Sequence, residues 1–355
     1  MATRDLEGLD LDQLSQHTPD ELLEEVLPVA EARYTYDDFY RRWEQQHWLA
    51  TDIDFSTDRE QWTEIPQVLR SQMLGTFAAF YQGEESVTRN LAPLMLAAPR
   101  VDHEIFLTTQ TVDEARHTVF FRRLFNDVVG MEGGIQDHLT RFRPEYGPWY
   151  ENLFFGERGL DGRADRLRQD PSDVGLFAET VTLYHLVLEA GLALLGQRFL
   201  LDLCRNLKVL PGFYKGFMAV TRDESRHVGF GVRVIRELRE QDPSIEGRVL
   251  AVMREAIPDV VRLTHPPDED LDLEILDVIP PDFINPPQEA HRYSFTHIMK
   301  RLLAAGFRSE EVNELGAFAW EEFEKTVGEW EARTGGTHYA RMFPEQHAAG
   351  AARVA

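Results

Sequence analysis

Two copies of one pattern of acidic residues and histidine stand out in the chain. In the first copy, Glu84 is separated by 28 residues from the run DEARH at positions 113–117. In the second copy, Glu189 is separated by 33 residues from the run DESRH at positions 223–227. Carboxylate and imidazole groups are common ligands of divalent metal ions. The repeated spacing therefore indicates a metal site to which both halves of the chain contribute.

The spacing also predicts how the two copies meet. A Glu and a His three residues apart lie on one face of a helix, and a gap of about thirty residues lets one helix end and the next return alongside it. One Glu from each of two helices and a Glu-x-x-His pair from each of two others form a carboxylate-bridged dinuclear metal site. The predicted ligands are Glu84, Glu114, His117, Glu189, Glu224 and His227.

Charge favours two divalent cations at this site. The apolar surroundings of Glu84 and Glu189 predict that both are buried, and a buried carboxylate without a partner is rare. Two divalent ions would neutralise four Glu, whereas without cations the carboxylates would have to be protonated. Oxygen and imidazole ligands without thiolate favour iron or manganese, and leave open positions for dioxygen and an added ligand. A single Glu-x-x-His is usually a surface pair, but its duplication argues against that reading.

The residue before the second glutamate of each copy has a different predicted role. Asp113 and Asp223 as ligands would supply too much negative charge. We expect each to accept a hydrogen bond from the free nitrogen of a histidine across the bundle, which fixes the histidine tautomer. Arg116 and Arg226 are expected to pair with these aspartates, with a surface ion pair as the alternative.

The elements that would position these residues are helices. Helical periodicity extends over almost the whole chain and no segment alternates as a strand does, which predicts an all-α bundle. Pro93 is expected to kink the end of its helix, and the segment 136–171 to be a long connection with one or two helical turns. The predicted helices cover 36–48, 66–98, 101–129, 172–207, 211–240, 244–263, 288–305 and 309–333, with another beginning at Thr18 and a loop at 52–58.

Composition excludes several classes of protein. The chain has 355 residues and a formal charge of −24, which disfavours binding to nucleic acid or to an anionic membrane surface. Cys204 is the only cysteine, so internal disulfides are excluded and a reducing cytoplasm is expected. No apolar stretch is long enough to span a membrane, and the amino terminus does not resemble a secretory signal. The acidic runs at 16–31 and 268–277 are interpreted as solvated faces.

From 36 to 238 the sequence resembles the ferritin-like superfamily, and within it the small subunit of class I ribonucleotide reductase. The duplicated pattern and the segment QQHWLATDIDFSTDREQW carry this resemblance. Two features depart from it: Phe121 occupies the place of the radical-storing tyrosine, and the carboxyl terminus HAAGAARVA does not resemble the reductase docking tail. Trp48 occupies the place of a radical-transfer tryptophan, and is interpreted as packing.

The chain resembles more closely the ligand-binding oxidases related to that small subunit, which assemble a mixed manganese–iron site. In that family a valine three residues after the first glutamate is joined by an ether bond to a tyrosine five residues before the third. Val87 and Tyr184 occupy these places. On a regular helix Tyr184 would lie about 140° around from Glu189, so a bulge or the reach of the phenol must bring it to the site. Ordinary core packing is the alternative.

The resemblance implies further expectations. It implies a long-chain fatty acid ligand in a channel, a homodimer, and one Mn and one Fe per chain, with di-iron as the alternative. Glu84, Glu114 and His117 would bind manganese, and Glu189, Glu224 and His227 would bind iron, with Glu114 bridging. The expected domains are an acidic extension at 1–35, a ferritin-like dinuclear metal oxidase domain at 36–335 and a tail at 336–355. Candidate channel residues, which core packing would equally explain, are Phe77, Phe80, Phe120, Phe121, Leu188 and Leu192.

The predicted function is therefore a dioxygen-activating oxidase that carries out two-electron C–H oxidation. Three alternatives remain open at this point. One is a radical-generating small subunit of a class I ribonucleotide reductase, and another is a di-iron small-molecule N-oxygenase, in which Val87 and Tyr184 would have no reason to pair. A ferroxidase is weaker, because nothing in the sequence suggests a storage shell.

Overall fold

The computed structural model describes residues 9–22, 34–143, 146–267 and 286–343, and every regular element in these ranges is a helix. This confirms the all-α prediction. The helices are α1 Leu11–Leu14, α2 Tyr36–Gln45, α3 Ser56–Trp62, α4 Gln67–Leu96, α5 Val101–Leu124, α6 Ile135–Phe142, α7 Pro148–Phe154, α8 Leu160–Gln169, α9 Val174–Val181, α10 Leu194–Leu207, α11 Pro211–Gln241, α12 Ser244–Thr264, α13 Pro287–Ala304 and α14 Ser309–Thr334. Short 3₁₀ turns cover Ala50–Asp52 and Tyr339–Met342, and wider π-helical turns cover Phe125–Val129 and Thr182–Ala193.

Four long helical segments form the bundle that holds the predicted ligands. Helix α4 packs along α5, and α11 packs against both α5 and the continuous segment 174–207, which runs from α9 through the π-helical turns to α10. Helix α11 is the central one, since every residue from 216 to 232 is buried. A helix that is buried on all sides must satisfy its polar groups internally, which makes α11 the natural place for buried ligands.

A buried carboxylate fixes the amino-terminal end of α11. Asp58 on α3 is fully buried, and its two oxygens accept hydrogen bonds from the backbone N–H groups of Gly212 and Phe213 at 2.8 and 2.6 Å. These N–H groups have no partner within the helix, so the carboxylate satisfies them and complements the helix dipole. Helix α3 therefore anchors the start of the helix that carries Glu224 and His227.

Two segments contain more helix than the sequence indicated. The region 52–58, expected as a loop, contains the start of α3, and the region 136–171 contains α6, α7 and α8 rather than one or two turns. The residues taken as loop signals explain this difference, because Gly134, Gly147 and Gly159 are the N-caps of these helices. Glycine there marks where each helix begins. Pro93 lies in the last turn of α4, which continues to Leu96.

Some predictions fall partly or wholly outside the described residues. The residues outside the described ranges are 1–8, 23–33, 144–145, 268–285 and 344–355. They include most of both acidic runs and most of the expected tail. Within the described ranges, none of the helices combines the length and the apolar character needed to cross a bilayer. The domain boundaries and the cytoplasmic location stay predictions.

Candidate metal centre

The four bundle segments bring the six predicted ligands into one buried cluster. Glu84 lies on α4, Glu189 in the π-helical turns, and the two Glu-x-x-His pairs on α5 and α11. None of the six is more than 6% exposed. Two overlapping groups have ligand atoms within 4.8 Å of one another: Glu84, Glu114, His117 and Glu224 form one, and Glu114, Glu189, Glu224 and His227 form the other. Glu114 and Glu224 belong to both groups, so each is placed to bridge two ions, whereas the sequence had singled out Glu114 alone.

The local backbone explains how Tyr184 reaches the cluster. The π-helical turns from Thr182 to Ala193 form backbone hydrogen bonds between residues five apart instead of four. Tyr184 and Glu189, five residues apart, therefore lie about one turn apart on the same face. The bulge that the sequence spacing required is present as this π-helical segment.

Each histidine presents one nitrogen to the carboxylates and the other to an aspartate. For His117, Nδ1 lies 3.1 Å from a Glu114 oxygen and Nε2 lies 3.2 Å from Asp223. For His227, Nδ1 lies 3.2 Å from a Glu224 oxygen and Nε2 lies 3.3 Å from Asp113. The predicted contacts across the bundle are therefore present. They assign the Nε2–H to the aspartate and leave Nδ1 as the nitrogen available to a metal.

Two arginines connect the aspartates. Arg226 donates to Asp113 at 2.9 Å and to Asp223 at 2.8 Å, and Arg116 contacts both of the same carboxylates. Both arginines are buried or nearly so, which is why the alternative of a surface ion pair is wrong. Burial by itself would raise the pKa of Asp223, but Arg226, His117 and Arg116 hold that pKa well below its usual range. Asp223 thus stays ionised and acts as a fixed acceptor.

Two tryptophans donate hydrogen bonds to these aspartates; the sequence contained no signal for Trp43, and Trp48 was interpreted as packing alone. The indole Nε1–H of Trp43 donates to Asp113 at 3.0 Å, and that of Trp48 donates to Asp223 at 2.8 Å. Trp48 is therefore part of the hydrogen-bonded layer as well as of the packing. The two pairs are 70 and 175 residues apart along the chain, so helical spacing gives no signal for them. Only the packing of α2 and the following segment over the bundle brings them together.

The electrostatics of the carboxylates show a site that requires positive charge. Burial raises the pKa of Glu84 well above its usual value, and the nearby Glu114 and Glu224 raise it further. Burial and the charge of Glu224 likewise raise the pKa of Glu189 well above its usual value. Burial alone would also raise the pKa of Glu114, but His227 and His117 hold that pKa well below its usual range. Glu114 is thus the ionised member of the cluster.

The histidines carry the compensating charge in the metal-free protein. Burial alone would lower the pKa of His117, but Glu84, Asp223 and Glu114 raise it well above its usual value. The pKa of His227 is raised in the same way by Glu114, Glu224 and Asp113. Protons therefore occupy positions where cations would give the same compensation. The Oε2 atom of Glu189 is buried without any hydrogen-bond partner, which fits a ligand atom directed at a metal ion.

Gln110 is a further residue of the site that the sequence did not reveal. Its amide nitrogen lies 3.0 Å from the Tyr184 hydroxyl and 3.0 Å from Glu189, and its amide oxygen lies 3.0 Å from Nε2 of His185. The Tyr184 hydroxyl itself donates to Glu114 at 2.6 Å. Burial lowers the pKa of His185 to about 3, so His185 is a neutral partner of Gln110.

An apolar cavity of about 590 Å³ reaches the cluster. Val87 and Tyr184 line it together with the four glutamates of the site, and Gln72 and Gly75 line its exposed end. Of the candidate channel residues, only Phe80, Leu188 and Leu192 line this cavity. The other three, Phe77, Phe120 and Phe121, pack instead in an aromatic core with Phe213 and Phe217.

Sequence and structure comparisons place these features among known proteins. The profile of the family described as ribonucleotide reductase, small chain, matches residues 32–263. An R2-like ligand-binding oxidase from Sulfolobus acidocaldarius is 26% identical, with a TM-score of 0.62 over 79% of this chain and 95% of that chain. A point mutant of an R2-like ligand-binding oxidase, anaerobically reconstituted with a Mn/Fe cofactor, is 22% identical, with a TM-score of 0.63 over 77% of this chain and 94% of that chain. At that identity the second likeness shows the fold alone.

The stability of the metal-free protein is predicted to depend on pH through this cluster. Glu84 and Glu189 hold protons that the unfolded chain loses above its ordinary carboxyl pKa, and His117 and His227 hold protons that the unfolded chain loses above about 6.5. The folded state therefore binds more protons. Its free energy of unfolding should fall between about pH 6 and pH 9, by about 1.4 kcal/mol per pH unit for each extra proton.

Calorimetric melting at both pH values, with and without divalent metal, checks this prediction. Metal should raise the melting temperature most at the higher pH, because cations replace the lost protons. The control is the double variant Glu84→Gln, Glu189→Gln, whose metal-free form should show a flatter pH dependence because two of the proton-binding groups are gone. A metal-free protein that becomes more stable as the pH rises would contradict the assignment.

Proposed function

Since the chain belongs to the family of ribonucleotide reductase small chains, we propose that it is an oxidase that uses dioxygen and a Mn/Fe pair for two-electron C–H oxidation. The observation that carries this proposal is the shared cavity. Val87, Tyr184 and the four carboxylates line one apolar cavity, so a C–H bond, a phenol and the proposed ligand set border the same space. The similarity to R2-like ligand-binding oxidases with Mn/Fe cofactors supports the same proposal.

The ligand groups suggest how the two ions are held. Glu84 and His117 serve one ion, proposed as manganese, and Glu189 and His227 serve the other, proposed as iron, with a di-iron centre as the alternative. Glu114 would be shared by the two ions, and the membership of Glu224 in both groups supports a second shared ligand. When bound, the two ions supply the electrons that reduce dioxygen and the oxidising power for the C–H bond.

Side chains of the protein keep the Tyr184 phenol protonated, provide an acceptor for its proton, and form an apolar wall around the reacting groups. Burial and the charges of Glu114, Glu189 and Glu224 raise the pKa of Tyr184 well above its usual value, so the phenol remains protonated until it reacts. Its proton has an acceptor at 2.6 Å in the ionised Glu114. The apolar cavity wall excludes water, which protects a strong oxidant from side reactions.

The first proposed C–H oxidation joins the Tyr184 oxygen to Cβ of Val87. The phenol loses its proton and Val87 loses the hydrogen on Cβ, so the ether forms with the net loss of two protons and two electrons, which dioxygen accepts. Tyr184 is 2% and Val87 7% exposed, so the reaction would be shielded from solvent. The hydrogen bond from Gln110 would hold the phenol oxygen in place.

Aerobic loading with both metals is predicted to give a chain lighter by two hydrogen atoms, with one peptide linking Val87 and Tyr184. Intact-mass analysis and peptide mapping measure this change. Tyr184→Phe should abolish the link completely, because no phenol oxygen remains, while Tyr36→Phe, which alters a tyrosine that does not line the cavity, should leave it unchanged. An unmodified wild-type chain that carries both metals would contradict the proposed cross-link.

The cavity is proposed to bind a long-chain fatty acid or a similar apolar acid. Its volume of about 590 Å³ lies in the range of ligand pockets, and Phe80, Leu188 and Leu192 give it an apolar wall. The carboxylate of such a ligand would lie at the inner end, where cations held by the cluster attract an anion. The chain of the ligand would extend towards Gln72 and Gly75.

Gly75→Phe is predicted to reduce the amount of co-purified fatty acid several-fold, because its side chain would obstruct the exposed end of the cavity. A Cβ at Gly75 meets no atom within 4 Å, so the helix should tolerate the substitution. The matched control is Gly247→Phe, where a Cβ also meets no atom within 4 Å, on α12. Mass spectrometry of the denatured proteins measures the ligand. Equal fatty acid in wild type and Gly75→Phe would contradict the proposed route.

The chain is also proposed to form a homodimer through an exposed apolar stripe on α5. Val101, Ile105 and Val112 are 66, 48 and 45% exposed, and their spacing of four and seven residues places them on one face. An antiparallel copy of α5 centred on this stripe would place Val101 opposite Val112 of the second copy, with Ile105 near the centre of the contact.

Ile105→Lys is predicted to convert the dimer into a monomer, because a charge would be buried at the centre of the stripe. Sedimentation analysis measures the oligomeric state. Val174→Lys changes an apolar residue with 41% exposure on α9 and should leave the dimer intact. A monomeric wild type, or a dimeric Ile105→Lys variant, would argue against this surface.

One alternative function has a structural observation in its favour. The hydrogen-bonded series from Trp48 through Asp223 to His117 is what a radical-generating reductase subunit could use. Phe121, however, stacks on Phe80 and cannot store a radical as a tyrosine would. A radical subunit would form no Val87–Tyr184 link and would bind a larger reductase chain, so the peptide map above distinguishes the two functions.

A further inference from the structure

The two histidine–aspartate pairs of the site each end in a tryptophan, but the two tryptophans differ in their surroundings. Trp48 is 3% exposed, stacks on His117 with ring centroids 6.2 Å apart, and lies under the Arg116 guanidinium, 5.3 Å from the ring centroid. Trp43 is partly exposed on α2. Its ring lies 5.9 Å from that of Tyr40, which is 41% exposed. The contacts from His227 through Asp113 to Trp43 form one branch, and those from His117 through Asp223 to Trp48 form the other. Only the Trp43 branch continues to the surface.

We propose that Tyr40, Trp43 and Asp113 form a one-electron route between the protein surface and His227. The route consists of a ring contact of 5.9 Å, a hydrogen bond of 3.0 Å from the Trp43 indole to Asp113, and a hydrogen bond of 3.3 Å between Asp113 and Nε2 of His227. The inference rests on the proposed function, because it assumes that the site held by His227 becomes oxidising.

The side chains of this branch suit electron transfer. Indole and phenol rings are the most readily oxidised aromatic side chains, and each contact in the series is direct. The Trp43 N–H already donates to the Asp113 carboxylate, whose negative charge stabilises positive charge on the indole as the electron leaves. Arg116 contacts Asp113 on this branch and lies over the Trp48 ring on the other, so the difference between the branches is the burial of Trp48, which is 3% exposed.

The proposed step moves one electron from the protein surface to the centre. The oxidant is the centre after its reaction with dioxygen, when no substrate C–H bond is available. Trp43 gives up one electron through Asp113 and His227 and keeps its indole proton, so that it becomes a radical cation. Tyr40 then returns an electron to Trp43 and releases its phenol proton to solvent. A one-electron donor in solution, such as a thiol or ascorbate, restores Tyr40. Without such a donor the tyrosyl and indolyl radicals take up oxygen and remain as oxygenated residues.

Peptide mass spectrometry of the full-length protein tests the route. The protein is loaded with manganese and iron and exposed to dioxygen without fatty acid or reductant, and oxygen adducts are quantified at each aromatic residue. Adducts at Trp43 and Tyr40 should exceed those at Trp330 several-fold, although Trp330 on α14 is also partly exposed. Ascorbate should suppress them.

Two variants separate the route from simple solvent access. Trp43→Phe should reduce the Tyr40 adducts to the level of the metal-free protein. It should also increase adducts at Tyr184 or Trp48, because the oxidised centre must then take its electron from another side chain. Trp330→Phe should change neither. Equal adducts at Trp43 and Trp330, or unchanged Tyr40 adducts in Trp43→Phe with full metal content, would overturn the route.

The same digest distinguishes this inference from the proposed function. If the Val87–Tyr184 peptide is absent while Trp43 is oxidised in a metal-dependent way, the route stands and the proposed C–H oxidation fails. If the linked peptide forms and Trp43 is oxidised no more than in the metal-free protein, the proposed function stands and the route is overturned.

Discussion

The compensation of buried negative charge is the constraint on which the rest of the structure depends. Four glutamates lie at most 6% exposed within one cluster, where ionised carboxylates without partners would be too costly. The two histidines and their raised pKa values supply part of the compensation, and two divalent ions would supply it fully. The four long helical segments of the bundle, with the fully buried middle of α11, hold this charge in one place.

A second layer of charges makes the first layer rigid. Asp113 and Asp223 each orient a histidine on the opposite helix, and Arg226 holds both aspartates at 2.8–2.9 Å. Because these contacts cross the bundle, each half of the duplicated pattern positions the ligands of the other half. Each aspartate also accepts a hydrogen bond from a tryptophan, but the two tryptophans have different surroundings. The Trp48 indole is enclosed, whereas the Trp43 indole reaches the surface.

The π-helical turns connect backbone geometry with the proposed chemistry. A regular helix would direct Tyr184 away from Glu189, whereas hydrogen bonds between residues five apart bring both to one face. The Tyr184 hydroxyl then lies 2.6 Å from Glu114 and lines the same cavity as Val87. A local change in helical pitch thus decides which side chain meets the reactive centre.

The sequence alone determined the long helices and the six residues of the buried cluster, because both follow from spacing along one helix: Glu114 with His117 three residues later is a local relation. It misjudged 136–171, since glycines that cap helices resemble glycines in loops. It could not find Trp43 or Gln110, nor the hydrogen bond of Trp48 to Asp223, nor tell that Phe121 lies in the core while Phe80 lines the cavity. Those relations join residues far apart in the chain, and only the packing of one helix on another decides them.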